Sequence, residues 1–116
     1  MKMFIYDIET YPNIFTFTLI REDGKWLKSF EVSARKNQII EFFKCIDYLI
    51  DDNHSLVGFN NIGFDYPVVH KIIEARNEFI NQPRGLLICK KIYITTILFY
   101  EIPFLYFNSL DIYFLQ

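Results

Sequence analysis

Cysteine is scarce in this chain. Cys45 and Cys89 are the only two in 116 residues, and both sit in apolar surroundings. They offer no disulfide framework, and no Cys/His spacing suited to zinc accompanies them. That usage fits a reducing cytoplasm. An excess of one charge is also missing: Lys and Arg number 12, Asp and Glu 14, for a formal net charge of −2. No global field therefore draws phosphates, and affinity for nucleic acid has to come from local patches or from bound metal. The adjacent basic pairs, Arg35–Lys36 and Lys90–Lys91, read on sequence as solvated surface. Long apolar runs are missing too. The stretch from Leu86 to Phe107 is broken by Lys90, Lys91, Glu101 and Pro103. It falls short of the ~20 predominantly apolar residues of a membrane span. The apolar start after Lys2 is cut by Asp7, which argues against a signal peptide. No internal repeat, low-complexity stretch or linker divides the chain, so residues 1–116 read as one domain.

What is present is a core in excess of ordinary need. Hydrophobic residues make up 52% and charged residues 22%, a globular balance. The 13 Phe and 8 Tyr are spread through every segment, as core filling requires, rather than gathered into one stacking platform.

The hydrophobic period changes along the chain. "MFIYDIE" is strand-like, and "NIFTFTLI" alternates Ile14, Thr16 and Thr18 against Phe15, Phe17 and Leu19. Asp23–Gly24 supplies a turn, and "WLKSFEV" returns as a third antiparallel strand. From Lys36 to Asp51 the apolar residues recur at helical spacing, with Ser33 as a candidate cap. "SLVGF" reads as a short strand beside the first, buried on both faces. "DYPVVHKIIEARNEF" reads as a second helix, with Pro67 near its start where no N–H is needed. "LLICKKIYITTILFY" fits helix or strand, and "FLYFNSLDIYFL" reads as a strand. Three antiparallel strands, a crossover helix, a buried strand and a further helix predict an α/β domain with a mixed sheet. The chain stops at Gln116 inside an apolar stretch, so the domain reads as incomplete at its C-terminus.

The feature that demands explanation is "YDIET", residues 6 to 10. On a strand, Asp7 and Glu9 share one face, about 6–7 Å apart. Two like charges that close repel unless a cation sits between them. A third carboxylate, Asp65, follows the buried strand in "VGFNNIGFDYPVV", in the predicted first turn of a helix. Alone it would complement the helix dipole. Beside Asp7 and Glu9 it completes an oxygen cage of the kind hard cations such as Mg²⁺ and Mn²⁺ prefer.

"FIYDIETYPN" followed by "GFNNIGFDYPVV" resembles the 3′–5′ proofreading exonuclease domain of DNA polymerases. The likeness is closest to family B and phage-type enzymes within the ribonuclease-H-like DEDD superfamily. The first motif of that family, Asp-x-Glu, matches Asp7-Ile8-Glu9. The second, Asn-x2–3-(Phe/Tyr)-Asp, matches Asn60 or Asn61, then Phe64 and Asp65. The resemblance implies that Asp7, Glu9 and Asp65 are catalytic metal ligands for two Mg²⁺ or Mn²⁺ ions, with Glu9 also orienting the attacking water. It implies that Thr10, Asn60, Asn61 and Phe64 bind the single-stranded 3′ end of DNA. Each has a plainer reading: Thr10 shaping the turn into Pro12, Asn60 and Asn61 forming a turn before Gly63, Phe64 filling core. The family's third motif, Tyr-x3-Asp or His-x4-Asp, is not matched after Asp65, since Tyr106 and Asp111 are one residue too far apart. His54 and His70 read as structural or surface residues, His54 in a polar turn and His70 on a helix face.

The expectation is therefore a partial exonuclease domain from the N-terminal side of a DNA polymerase. The remainder would lie on the same or another chain, in the host cytoplasm if phage-encoded, with no membrane partner. One rival is a non-catalytic ribonuclease-H-like nucleic-acid-binding or assembly module. A second is a nuclease of the same fold that acts on RNA.

Overall fold

The computed structural model describes residues 2–59, 66–100 and 110–114. Three strands open the chain: β1 (Met3–Tyr11), β2 (Ile14–Arg21) and β3 (Leu27–Ser33). Their alternation is strict. Phe4, Tyr6 and Ile8 are buried on β1, Phe15, Phe17 and Leu19 on β2, Phe30 and Val32 on β3. The residues between them face the other way, so one face of the meander is apolar and the other polar. Gly24, with φ of +73°, makes the left-handed turn residue between β2 and β3.

Helix α1 (Ile39–Asp51) crosses over the apolar face. Ile39, Phe42, Phe43, Ile46 and Leu49 form its buried stripe. The predicted cap, Ser33, does not cap it. Ser33 ends β3, where its hydroxyl donates to Glu31 at 2.7 Å, and Gln38 takes the cap position without a side-chain bond. The reason lies in the edge strand: Gln38 N–H donates to the Glu31 carbonyl and its side chain accepts the Glu31 N–H. The loop thus closes half of an otherwise open sheet edge before the helix begins.

Asn53, at φ +56°, turns the chain into β4 (Ser55–Phe59). This strand lies parallel to β1, with Phe4 opposite Leu56 and Ile5 opposite Val57. Ser55 through Gly58 are buried, as the strand's unbroken apolar character predicts. The predicted second helix divides into α2 (Tyr66–Glu74) and α3 (Arg76–Ile80) at Ala75. Directly after that break, the Arg76 guanidinium clamps Asp47 of α1 with two bonds of 2.6 and 2.8 Å. The same group lies 5.0 Å from the Phe43 ring centroid.

The ambiguous apolar segment is a helix, α4 (Gly85–Tyr100), and β5 (Leu110–Phe114) follows. On α4, Ile88, Cys89, Ile92 and Thr96 are buried, and the Thr95 and Thr96 hydroxyls donate to carbonyls four residues back. Its start is pressed on the end of β3, where a Cβ on Gly85 would lie 2.1 Å from the Ser33 carbonyl oxygen. Only glycine allows that approach.

The result is an α/β fold with a five-stranded mixed sheet in the order β3-β2-β1-β4-β5. One apolar cluster, drawn from all three N-terminal strands and all four helices, forms its core. No helix among the described residues is long and apolar enough to cross a membrane.

Candidate functional site

The alternation of β1 decides where the carboxylates go. Tyr6 and Ile8 are locked into the core, so Ile5, Asp7, Glu9 and Tyr11 must emerge on the opposite face, and all four are exposed. Across the ladder Asp7 stands opposite Thr18 and Glu9 opposite Thr16. Thr18 and Thr16 in turn stand opposite Ser29 and Glu31 of β3. The Thr18 and Ser29 hydroxyls are 3.2 Å apart and satisfy each other. Glu31 is held by Arg35 and Ser33. Its carboxyl is lowered from 4.5 to about 2, first by the Arg35 hydrogen bonds and then by the Ser33 hydroxyl.

Asp7 and Glu9 are different. Among the described residues neither makes an ion pair or a hydrogen bond. Two carboxylates on one strand face with no partner among the described residues keep their lone pairs free for an outside ligand, and exposure to water's high dielectric keeps their mutual repulsion small.

The parallel pairing adds a further element. β4 ends at Phe59, two residues past Val57, the partner of Ile5; two residues past Ile5 is Asp7. The chain therefore leaves β4 level with Asp7, at the carboxyl end of β4 and halfway along β1. Open α/β sheets bind ligands at such ends.

The remaining predicted residues divide into two groups. Thr10 is half-buried and alternates to the helix-covered face, opposite Phe15, so only its backbone adjoins the carboxylate face. Asn60, Asn61, Phe64 and Asp65 lie outside the described residues, as does Tyr106. Asp111 sits on β5 opposite Gly58. Among the described residues no three Asp, Glu, His or Cys side chains group into a metal cluster. The donor set that is described, two unpartnered carboxylates, has the chemistry hard divalent cations require.

The two histidines serve packing. His54 is buried, in place of the expected polar turn; it accepts the Lys2 N–H on Nδ1 at 3.0 Å, with the Phe4 and Tyr48 rings each 5.1 Å away. His70 is half-buried with its ring 4.3 Å from that of Tyr66.

Tyr11 was not among the residues singled out on sequence. It continues the line of Asp7 and Glu9 by one more step of two and is 51% exposed. The period of β1 was signal enough to place it there.

Comparison with protein-family models, with curated proteins and with solved structures finds no match.

Proposed function

We propose that this chain is part of a ribonuclease-H-like 3′–5′ exonuclease domain from the N-terminal side of a DNA polymerase, acting on the single-stranded 3′ end of DNA. The observation that carries the reading is the pair of exposed, unpartnered carboxylates on the strand face level with the end of the parallel neighbour strand. Mg²⁺ or Mn²⁺ supplies the positive charge that such hydrolysis needs at the attacking water and at the departing 3′ oxygen. Asp7, Glu9 and Asp65 hold the ions, and Glu9 orients the attacking water. Asn60 or Asn61 hydrogen-bonds the strand, and Phe64 packs against the terminal bases. Thr10 contributes through its backbone.

No Tyr-x3-Asp follows Asp65 in this sequence. Full turnover needs, on this reading, a fourth carboxylate besides these three. The second reading is a non-catalytic nucleic-acid-binding or assembly module of the same fold, in which the carboxylates serve structure. Mn²⁺ titration by calorimetry separates the two. Wild-type protein is expected to bind Mn²⁺, and both Asp7→Asn and Glu9→Gln to lose at least ~1.4 kcal/mol of that binding, tenfold in affinity, with unchanged circular dichroism. Absence of binding in wild type, or its survival in both variants, overturns the nuclease reading.

A further inference from the structure

Two segments distant in sequence meet beside the carboxylate face. The β3–α1 loop brings Arg35 and Lys36, and the α3–α4 loop brings Arg84, to the walls of one cleft of about 560 Å³. All three side chains are exposed. Arg35 is engaged with Glu31 through bonds of 2.8 Å. The side chains of Lys36 and Arg84 make no hydrogen bond or ion pair among the described residues. Arg35 is countered by Glu31, which leaves Lys36 and Arg84 as two cations on one concavity with no ion pair among the described residues, a local departure in a chain with a net charge of −2.

The register places this cleft with respect to β1. Ser33, on the cleft wall, stands opposite Ile14 of β2, which stands opposite Tyr11. Cleft and Tyr11 are thus separated by two strand spacings, about 10 Å. Tyr11 itself lies about 6–7 Å beyond Glu9 on the same face. An exposed aromatic ring beside a cationic groove is the arrangement that holds single strands: every base has a face to stack, and the groove tracks the phosphates.

We infer that Tyr11 and the Arg35–Lys36–Arg84 cleft form a track for single-stranded DNA, the ring stacking one base and the cations holding the phosphodiester backbone upstream of it. The track deepens the nuclease reading and rests on it for the direction of the strand. Its own energetics need no metal.

Fluorescence anisotropy with a labelled oligothymidylate, in buffer containing EDTA, tests it apart from the metal site. Wild-type binding should weaken with salt. Lys36→Gln/Arg84→Gln should reduce the slope of log K against log salt by about 1.4, two contacts at ~0.7 each. Tyr11→Ala should weaken binding about tenfold and Tyr11→Phe should preserve it, since stacking needs the ring and not the hydroxyl. Should the double change disturb the fold, the single exposed change Lys36→Gln must still lower the slope by about 0.7. An unchanged slope and affinity in folded Lys36→Gln/Arg84→Gln overturns the track. Loss of Mn²⁺ binding in the wild type, with the slope effect intact, overturns the nuclease reading and leaves the track standing.

Discussion

Cys45 shows how far a single side chain's chemistry depends on its neighbours. It sits on α1 in a cleft of about 300 Å³ with Trp26, Phe30 and Tyr48, and Lys28 and Lys44 at its rim. Burial pushes its thiol up to about 11; the Lys28 charge pulls the other way and loses. Cys89, buried on α4, is raised for the same reason. At pH 8 a thiol near 11 is about one part in a thousand thiolate, against roughly a quarter for a free cysteine near 8.5. Folded protein should therefore react with iodoacetamide at least ~100-fold more slowly than the same protein in denaturant, with both thiols released on unfolding. Rapid labelling of the folded chain would show that burial does not control Cys45. At this scale Asp7 and Glu9 were legible because a period of two needs only the local pattern. His54 was not. "DDNHS" is polar in sequence, and only the long-range bond to Lys2 and the Phe4 and Tyr48 rings make its site a buried one.

At the scale of elements, the junction from β3 to α1 is where composition and structure part. Ser33 has the chemistry of a helix cap, yet it serves an edge strand. Glu31 accepts from Arg35 and Ser33, and Gln38 pairs with the Glu31 backbone. Edge closure competes with capping for the same polar residues, and nothing in a window of a few residues says which wins. The identity of α4 was equally hidden, since its apolar residues lie on both sides of Lys90–Lys91 without a clear period; burial of Ile88, Cys89 and Ile92 on a helix that packs on β1, β2 and β3 settles it. The Glu31 cluster has a pH consequence. Its carboxyl is depressed in the fold from 4.5 to about 2. It therefore binds a proton more readily when unfolded, so its contribution to stability is present above about 4.5 and is lost as pH falls toward about 2. Glu31→Gln, which cannot titrate, should flatten the fall of the unfolding midpoint across that window and leave the dependence at higher pH unchanged. An identical acid limb in both proteins would remove Glu31 from the account.

For the molecule as a whole, the division between the two sheet faces is what links folding to the proposed chemistry. Phe42 of α1 lies at the centre of the covered face, with ring centroids 5.9 Å from Phe15, 5.0 Å from Phe17, 6.5 Å from Phe30 and 5.3 Å from Phe43. These contacts join the inner strand β2, the edge strand β3 and the crossover helix, so the core side of β2 and β3 is held without any group from the carboxylate face. The mixed sheet and its antiparallel start were legible because each strand announced itself locally. The convergence of Arg35 with Arg84 was not, because it depends on how α4 docks on the end of β3 through Gly85. Removing the Phe42 ring should cost about 3–5 kcal/mol, a large share of the ~5–15 kcal/mol that holds a domain together. The thermal midpoint should fall by roughly 10–25 °C, and Phe42→Leu should retain most of it. If the faces are independent, Mn²⁺ and oligothymidylate should bind Phe42→Ala below its midpoint with wild-type affinity, since Asp7, Glu9, Tyr11, Lys36 and Arg84 are exposed on strand and loop surfaces while the Phe42 ring is buried in the core. Calorimetry at low temperature checks this. A loss of affinity while the circular dichroism remains native would mean that the core shapes the carboxylate face directly, and the two-faced account of the fold would have to be abandoned.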